Sequence, residues 1–183
     1  MFNPLKKLKS FKKDVSGSVA IETVIILPLL FWAIAAVAIF FDAYRTKSAA
    51  EKAAFTISDM LSRETNAITP TYVTNTRSLF DALAKSDTDS SMRISVITWN
   101  QDEASYEMEW SQTRGDTFTA LNATDLIALA ASLPTMADQD AVILVETHTT
   151  FEPTLDVGLG ARSIETFVFT RPRYAPQLVF STS

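Results

Sequence analysis

Residues 19–41 read VAIETVIILPLLFWAIAAVAIFF, an apolar run in which Glu22, near one end, is the only charge. A helix over this run spans roughly 35 Å at about 1.5 Å per residue, enough to cross a hydrocarbon core of about 30 Å. The run predicts a single transmembrane helix, which we place at residues 18–41. Pro28 lies within it and removes one helix hydrogen bond, so a local kink or neighbouring helices must compensate.

The charges on either side of the run predict its orientation. Lysines cluster before it, at Lys6, Lys7, Lys9, Lys12 and Lys13. The residues that follow it are mixed in charge, so the positive-inside rule makes residues 1–17 a basic cytoplasmic leader. We therefore expect a single-pass protein of a bacterial inner membrane, with its C-terminal domain in the periplasm.

A cleaved secretory signal is the competing interpretation, because it also joins a basic start to an apolar run. The apolar region of such a signal normally covers about 7–15 residues, and this run is longer. Its end, FFDAYR at residues 40–45, offers no cleavage site of the small-x-small type. We expect an uncleaved anchor, or one that is trimmed only at its cytoplasmic end.

The composition argues against several classes of function. The net charge is −5 over 183 residues, and it is more negative without the basic leader, which disfavours nucleic acid as a partner. The chain has no cysteine and one histidine, His148, a poor basis for a zinc site or a Ser-His-Asp triad. We therefore expect no enzyme activity, no metal and no cofactor.

Beyond the apolar run, the sequence predicts one α+β domain on an extended helix. Residues 42–65 contain no Gly or Pro and carry Phe55, Ile57 and Leu61 among charged residues, so the membrane helix continues into the periplasm. Residues 66–183 form the domain itself, which we expect to be a small antiparallel sheet of about four strands with short helices.

Within the domain, the pattern of turns and apolar residues predicts the individual elements. We expect a loop at residues 66–76, helices at 77–85 and 126–133, and strands at 93–99, 105–112, 141–151 and 163–171. In the second strand, Tyr106, Met108 and Trp110 alternate with polar residues, which predicts that one face is wet. His148 is expected to be a partly exposed residue of the third strand.

The junction between the leader and the apolar run reads Gly17-Ser18-Val19-Ala20-Ile21-Glu22. A glycine at the membrane face, followed five residues later by the only carboxylate of the span, resembles the processing site of type IV prepilins. The stretch GSVAIETVIILPLLFWAIAAVAIFFDAYR, followed by an Ala-rich helix, resembles the TadE/TadG-like family of tight-adherence (Flp-type) pilus assembly proteins. Residues 170–176, TRPRYAP, are similar to the Arg-Pro-Arg ending common in such proteins.

This resemblance implies a pilin-like fold and a role in pilus assembly. It implies cleavage between Gly17 and Ser18, after which Glu22 would neutralise the N-terminal amine of a neighbouring subunit. The implied partners are the inner membrane, other pilins or pseudopilins, pilus platform proteins and a prepilin peptidase. The chain is too short for the large von Willebrand-type domain of longer relatives, which favours a minor pilin or pseudopilin.

The sequence leaves alternatives open at two points. Thr23 stands where an aromatic residue often follows the glutamate in processed members, so cleavage is undecided. A carboxylate one turn inside a membrane helix can also reach the headgroups and favour the helix N-terminus by its charge. The alternative function is a permanently anchored periplasmic scaffolding or binding module of an envelope complex, which keeps residues 1–17.

Overall fold

The computed structural model describes residues 16–85 and 90–182, which form one long helix, two short helices and a four-stranded sheet. The helices are α1 (Ser16–Ser62), α2 (Pro70–Ala84) and α3 (Ala123–Leu129), the last followed by a 3-10 turn at Ala130–Ser132. The strands are β1 (Ser91–Asn100), β2 (Ser105–Arg114), β3 (Ala141–Phe151) and β4 (Arg162–Thr170). The predicted α+β class is confirmed, as is the continuation of the first helix beyond the apolar run.

The four strands form one antiparallel sheet in the order β2-β1-β3-β4. Strand β3 is central and covers the range that the sequence predicts, with the run Val142–Val145 fully buried. Strand β4 lies at an edge, where Ile164, Thr166 and Val168 are buried while the residues between them are exposed. This alternation shows that one face of β4 is covered and the other is open.

Helix α1 packs on the sheet only through its second half. Buried residues recur there every three or four positions, as expected for one face of an α-helix. This stripe consists of Ile39, Ala50, Ala53, Ala54, Ile57 and Leu61, with half-buried Ala43 beside it. It lies on β3 and β4, next to α2, and shares the main core with strand residues such as Ile143 and Val145. The side chains of its alanines are small, so the helix lies close to the sheet.

A smaller core lies on the opposite face of the sheet. Ile97, Val142 and Leu144 pack there against Leu126 of α3 and the residues around it. Asn122 and Asp125 form a reciprocal capping box that fixes the start of α3. The predicted helix at 126–133 is therefore only partly correct, because the capping box starts α3 at Ala123 and a tighter 3-10 turn replaces its end.

Helix α2 begins earlier than the sequence predicts. We expected a loop through residue 76 because of Pro70, but Pro70 is the first residue of the helix. Proline suits this position, since its missing N–H would have no partner within the helix. The preceding Thr69 is the N-cap, and its hydroxyl accepts the N–H of Tyr72 at 3.2 Å. The predicted loop was therefore wrong beyond residue 69.

Strand β2 does not keep the predicted alternation. Ile97 pairs with Met108 although the preceding residue of β1 pairs with Trp110, so Glu109 is an extra residue in β2. Such a bulge shifts the alternation of the side chains on either side of it. Trp110 packs against the main core, whereas Tyr106 packs against the smaller core on the other face. The prediction that Tyr106, Met108 and Trp110 share one face was wrong.

The segment after β4 closes the C-terminal end of α1. The N–H of Arg173 donates to the carbonyl oxygen of Ser62 at 2.7 Å, and its guanidinium lies 3.4 Å from the carboxylate of Asp59. The last carbonyl groups of a helix have no partner within the helix, and a cation is favourable near them. Arg173 thus supplies a hydrogen-bond donor and a positive charge at this end.

The connection between α1 and α2 holds the carboxylate of Glu64. It accepts hydrogen bonds from the N–H groups of Asn66 and Thr65, each at 3.1 Å. The bond from the Asn66 N–H is the main reason that the pKa of Glu64 lies below its usual value. Burial, together with the nearby charge of Glu64, raises the pKa of Tyr72. Folding therefore favours the ionised form of Glu64.

Replacing Ile57 by alanine is expected to lower the free energy of unfolding by about 2–4 kcal/mol, because it leaves a cavity under α1. Phe55→Ala is the matched control, two residues away in the same helix but 63% exposed, and it should cost less than about 0.5 kcal/mol. Urea unfolding of the full chain in mild detergent, followed by tryptophan fluorescence, measures both. Equal losses of unfolding free energy in the two variants would contradict the packing of this face of α1 on the sheet.

Replacing Glu64 by glutamine is expected to reduce the fall in the free energy of unfolding at acidic pH. The ionised carboxylate stabilises the fold fully above its unfolded pKa of about 4.3, and this contribution is lost as the pH falls through the lower, folded pKa. The parent should therefore lose more stability than the variant between about pH 5 and pH 3. The group is partly exposed, so we expect a difference below about 1 kcal/mol. Parallel profiles in urea titrations would contradict this assignment.

Candidate membrane segment and assembly surface

The first half of α1 projects from the domain. Every described side chain from Val19 to Ile34 is exposed, and Ile39 is the first one that is buried against the body. Residues 19–38 measure about 30 Å along the helix axis, close to the thickness of a hydrocarbon core. Within the described part of the chain, α1 is the one helix long and apolar enough to cross a membrane. An exposed apolar surface of this size is expected to contact lipid or other proteins.

Glu22 and Thr23 are the polar residues at the start of this projecting half. The hydroxyl of Thr23 donates to the carbonyl oxygen of Val19 at 2.8 Å, one turn earlier, so its polar group is satisfied within the helix. The side chain of Glu22 is exposed. A carboxylate on a membrane helix is costly and usually has a partner or a function. Glu22 is therefore the residue of this segment that most needs an explanation.

The helix is continuous through Pro28. Because proline has no N–H, the carbonyl of Val24, four residues earlier, loses its usual donor. This missing hydrogen bond lies in the exposed half of α1, well before the first buried contact at Ile39. The kink expected from the sequence stays a prediction.

The proposed processing site lies at the beginning of the described helix. Gly17 and Ser18 have helical backbone in the first turn of α1, and the lysines of the leader lie outside the described residues. Proteolysis of a peptide bond requires an extended backbone, so cleavage between these two residues would require this turn to unwind. Gly17 favours such unwinding, because glycine is about 1 kcal/mol less favourable than alanine in a helix.

The side of α1 that faces away from the sheet is mixed in character beyond the span, because exposed Arg45 and Lys52 lie there among aromatic residues. Phe41, Tyr44 and Phe55 are exposed along it, and a groove of about 550 Å³ runs between this side and Leu83 of α2. Phe55 and Ile57 are apolar residues of the same stretch and were predicted together as part of the helix. At 3.6 residues per turn, however, residues two positions apart lie about 160° apart around the helix axis, on nearly opposite sides. The period of 3.6 residues, applied to residues 42–65, identifies Phe55 as an outward residue.

Polar side chains elsewhere in the domain pair with one another. Arg93 and Glu146 form a nearly buried ion pair at 2.6 Å across β1 and β3. His148 is half-buried, as expected, and its Nδ1 lies 3.3 Å from the hydroxyl of Thr117. Among residues 16–85 and 90–182, no group of three His, Asp or Glu side chains is placed to hold a metal ion. Most of the exposed large apolar side chains of the described residues lie on α1, so its exposed surface is the candidate for contacts with other molecules.

The fold and the projecting helix together define the class of protein: an α+β domain carried on an N-terminal helix that is able to span a membrane. Comparison with known proteins adds no closer assignment. No protein-family model, no characterised protein and no solved structure matches the chain. The resemblance to TadE/TadG-like proteins thus depends on the residues quoted above and stays a prediction.

Replacing both Leu30 and Ala33 by arginine is expected to prevent membrane insertion. Each arginine near the middle of the span costs about 2.5–3.5 kcal/mol on insertion scales. Alkaline carbonate extraction of membranes from expressing cells should leave the parent in the pellet and release the variant. Lys52→Glu, on the part of α1 that is packed on the domain, is the control and should stay in the pellet. Release of the parent itself would contradict the assignment of residues 18–41 as a membrane anchor.

Proposed function

We propose that this protein is a minor pilin, a pseudopilin or an assembly component of a tight-adherence type IV pilus secretion system. Helix α1 anchors it in the bacterial inner membrane, with residues 1–17 in the cytoplasm and residues 42–183 in the periplasm. One observation carries the proposal: a single 47-residue helix bears the domain on its second half and projects an apolar stretch, exposed from Val19 to Ile34, on its first. The Gly17 to Glu22 junction stands at the start of that helix.

The shape of α1 supports a role in a helical assembly. A helix that only anchors the domain needs an apolar surface for about 30 Å. The exposed Tyr44 and Phe55 lie beyond that length, on the side opposite the sheet, as large aromatic side chains among charged residues. Neighbouring helices in a fibre could bury this side, and lipid would not reach Phe55. This surface therefore favours packing between subunits.

The position of Glu22 supports the same role. After cleavage before Ser18, the new N-terminal amine would lie about one turn from this carboxylate along the helix. Two opposite charges 4 Å apart attract by about 1 kcal/mol in water and by about 4 kcal/mol in a partly buried setting. A carboxylate and an amine on neighbouring helices, away from water, would therefore select the correct register between subunits.

The permanently anchored scaffolding module is the alternative function. It is favoured by the helical backbone at Gly17 and Ser18, since a helical peptide bond resists proteolysis until it unwinds. It is also favoured by Thr23, whose satisfied hydroxyl suits a static membrane helix. In this alternative the carboxylate of Glu22 reaches the headgroups, and no cleavage is needed.

Replacing Glu22 by leucine separates the two functions. In the pilus proposal this change should reduce the amount of chain recovered in sheared surface fibres at least tenfold, because the amine loses its partner. Insertion into the membrane should be unaffected or improved, since the span loses its charge. Thr23→Val is the matched control, one residue away, and should leave fibre recovery unchanged.

Intact mass of the chain from cells that carry their own pilus machinery completes this test. A mature chain that begins at Ser18, together with the loss of fibres in Glu22→Leu, is the expected result. A chain that keeps residues 1–17, with equal fibre recovery in both variants, would overturn the pilus proposal and leave the permanent anchor. A start near residue 43 would instead identify the apolar run as a secretory signal.

A further inference from the structure

A groove lies between α1 and the start of β4, at the end of the domain nearest the projecting helix. Its volume is about 360 Å³. Its apolar lining consists of Phe40, Ala43, Tyr44, Phe151, Leu159 and Ile164. Phe40 belongs to the last turn of the apolar run, so the groove begins where the span ends. The groove is thus continuous with the surface that faces the hydrocarbon core.

Two cations stand at the rim of this groove. Arg162 lies in β4 opposite Phe151, on the same face as buried Ile164, so the alternation of the strand directs it toward α1. Among the described residues, Arg162 forms no salt bridge. Lys47 stands across the groove on α1, and its ammonium is 3.9 Å from Glu51 in an exposed, weak pair. Within the described part of the chain, no acidic side chain lines the groove itself.

We propose that this groove binds one anionic phospholipid of the surrounding bilayer, an inference that rests on the proposed membrane anchor. The phosphate group lies between Arg162 and Lys47, and an acyl chain follows Phe40 toward the hydrocarbon core. Arginine binds phosphate through two parallel N–H donors, and lysine adds a point charge. Tyr44 is suited to the boundary between apolar and polar regions, where tyrosine is enriched.

Charge and geometry favour lipid over a second copy of the chain as the occupant. The groove is lined by Arg162 and Lys47 and, among the described residues, by no carboxylate, so its charge complements a phosphate group. Pairing of two β4 edges is also disfavoured. Helix α1 runs along β4 in the same direction, with its middle beside Arg162 and its end beside Arg173. Antiparallel pairing of β4 would therefore point the two projecting helices in opposite directions, and one membrane cannot hold both.

The bound lipid would fix the height and rotation of the domain on the membrane. Its phosphate would tie β4 to the headgroup layer, at a site separated from the span by less than about two helical turns. A domain attached only through α1 can tilt with the helix, whereas a second contact restricts that motion. The groove would therefore be an orienting site for the periplasmic domain.

Native mass spectrometry of the full chain in detergent, with equimolar phosphatidylglycerol and phosphatidylcholine, tests this proposal. We expect one phosphatidylglycerol to be retained about tenfold or more over phosphatidylcholine, since each cation contributes a factor of about five. The variant Lys47→Gln/Arg162→Gln should retain both lipids equally. The variant Lys52→Gln/Arg171→Gln removes the same charge outside the groove and should behave as the parent.

Several results would overturn the proposal. These are equal retention of both lipids by the parent, an equal loss of preference in the two double variants, or a dimer that carries no lipid. Flotation with vesicles of pure phosphatidylcholine distinguishes the failure of this site from the failure of the anchor. If the parent floats with these vesicles but shows no preference for phosphatidylglycerol in native mass spectrometry, only the lipid site is disproved. A parent that does not float disproves the membrane anchor, and the lipid site with it.

Discussion

The burial of the stripe on the second half of α1 against β3 and β4 is the contact on which the rest of the structure depends. Its members are spaced along one face of the helix, and Ala50, Ala53 and Ala54 are small enough for the backbone to lie close to the sheet. The contact covers the face of the sheet that β3 and β4 share with the main core. Without this contact, nothing would fix the position of the apolar span relative to this face of the sheet.

Because no break separates the buried half of α1 from its exposed half, the domain and the span are coupled mechanically. A helix of this length resists bending except where its hydrogen bonds are interrupted, and Pro28 is such a point within the exposed half. Tilt of the helix in a bilayer is therefore transmitted to the domain, with bending expected near Pro28. A rigid connection of this kind suits a subunit that must present its domain at a fixed position in an assembly.

Much of this fold could be predicted from the sequence, because its main signals are local. The continuous apolar run Val142–Val145 predicts the buried central strand β3, and its observed bounds are the predicted ones. The absence of Gly and Pro from residues 42–65 predicts the long helix. These features depend on propensity and period alone, so no knowledge of tertiary contacts is needed.

The errors arise where a tertiary contact or a special position overrides a local pattern. Pro70 suggests a loop in isolation, but it is favourable at the first position of a helix once Thr69 caps it. The bulge at Glu109 depends on the pairing of β2 with β1, which no pattern within β2 reveals. At the candidate site, sequence alone indicates Glu22 and the span. The outward Phe55 and the basic rim of the groove emerge only when α1 is placed on the sheet.

The Arg-Pro-Arg segment shows how a motif can be explained by folding without a partner. Arg173 binds the last turn of α1 through Ser62 and Asp59, and Arg171 pairs with Asp140 at 3.3 Å. Both arginines thus connect the end of β4 to other elements of the same domain. A similar ending in other proteins would be expected wherever a final strand must return to the C-terminal end of a long helix. The fold of this chain therefore accounts for both arginines through contacts within the domain.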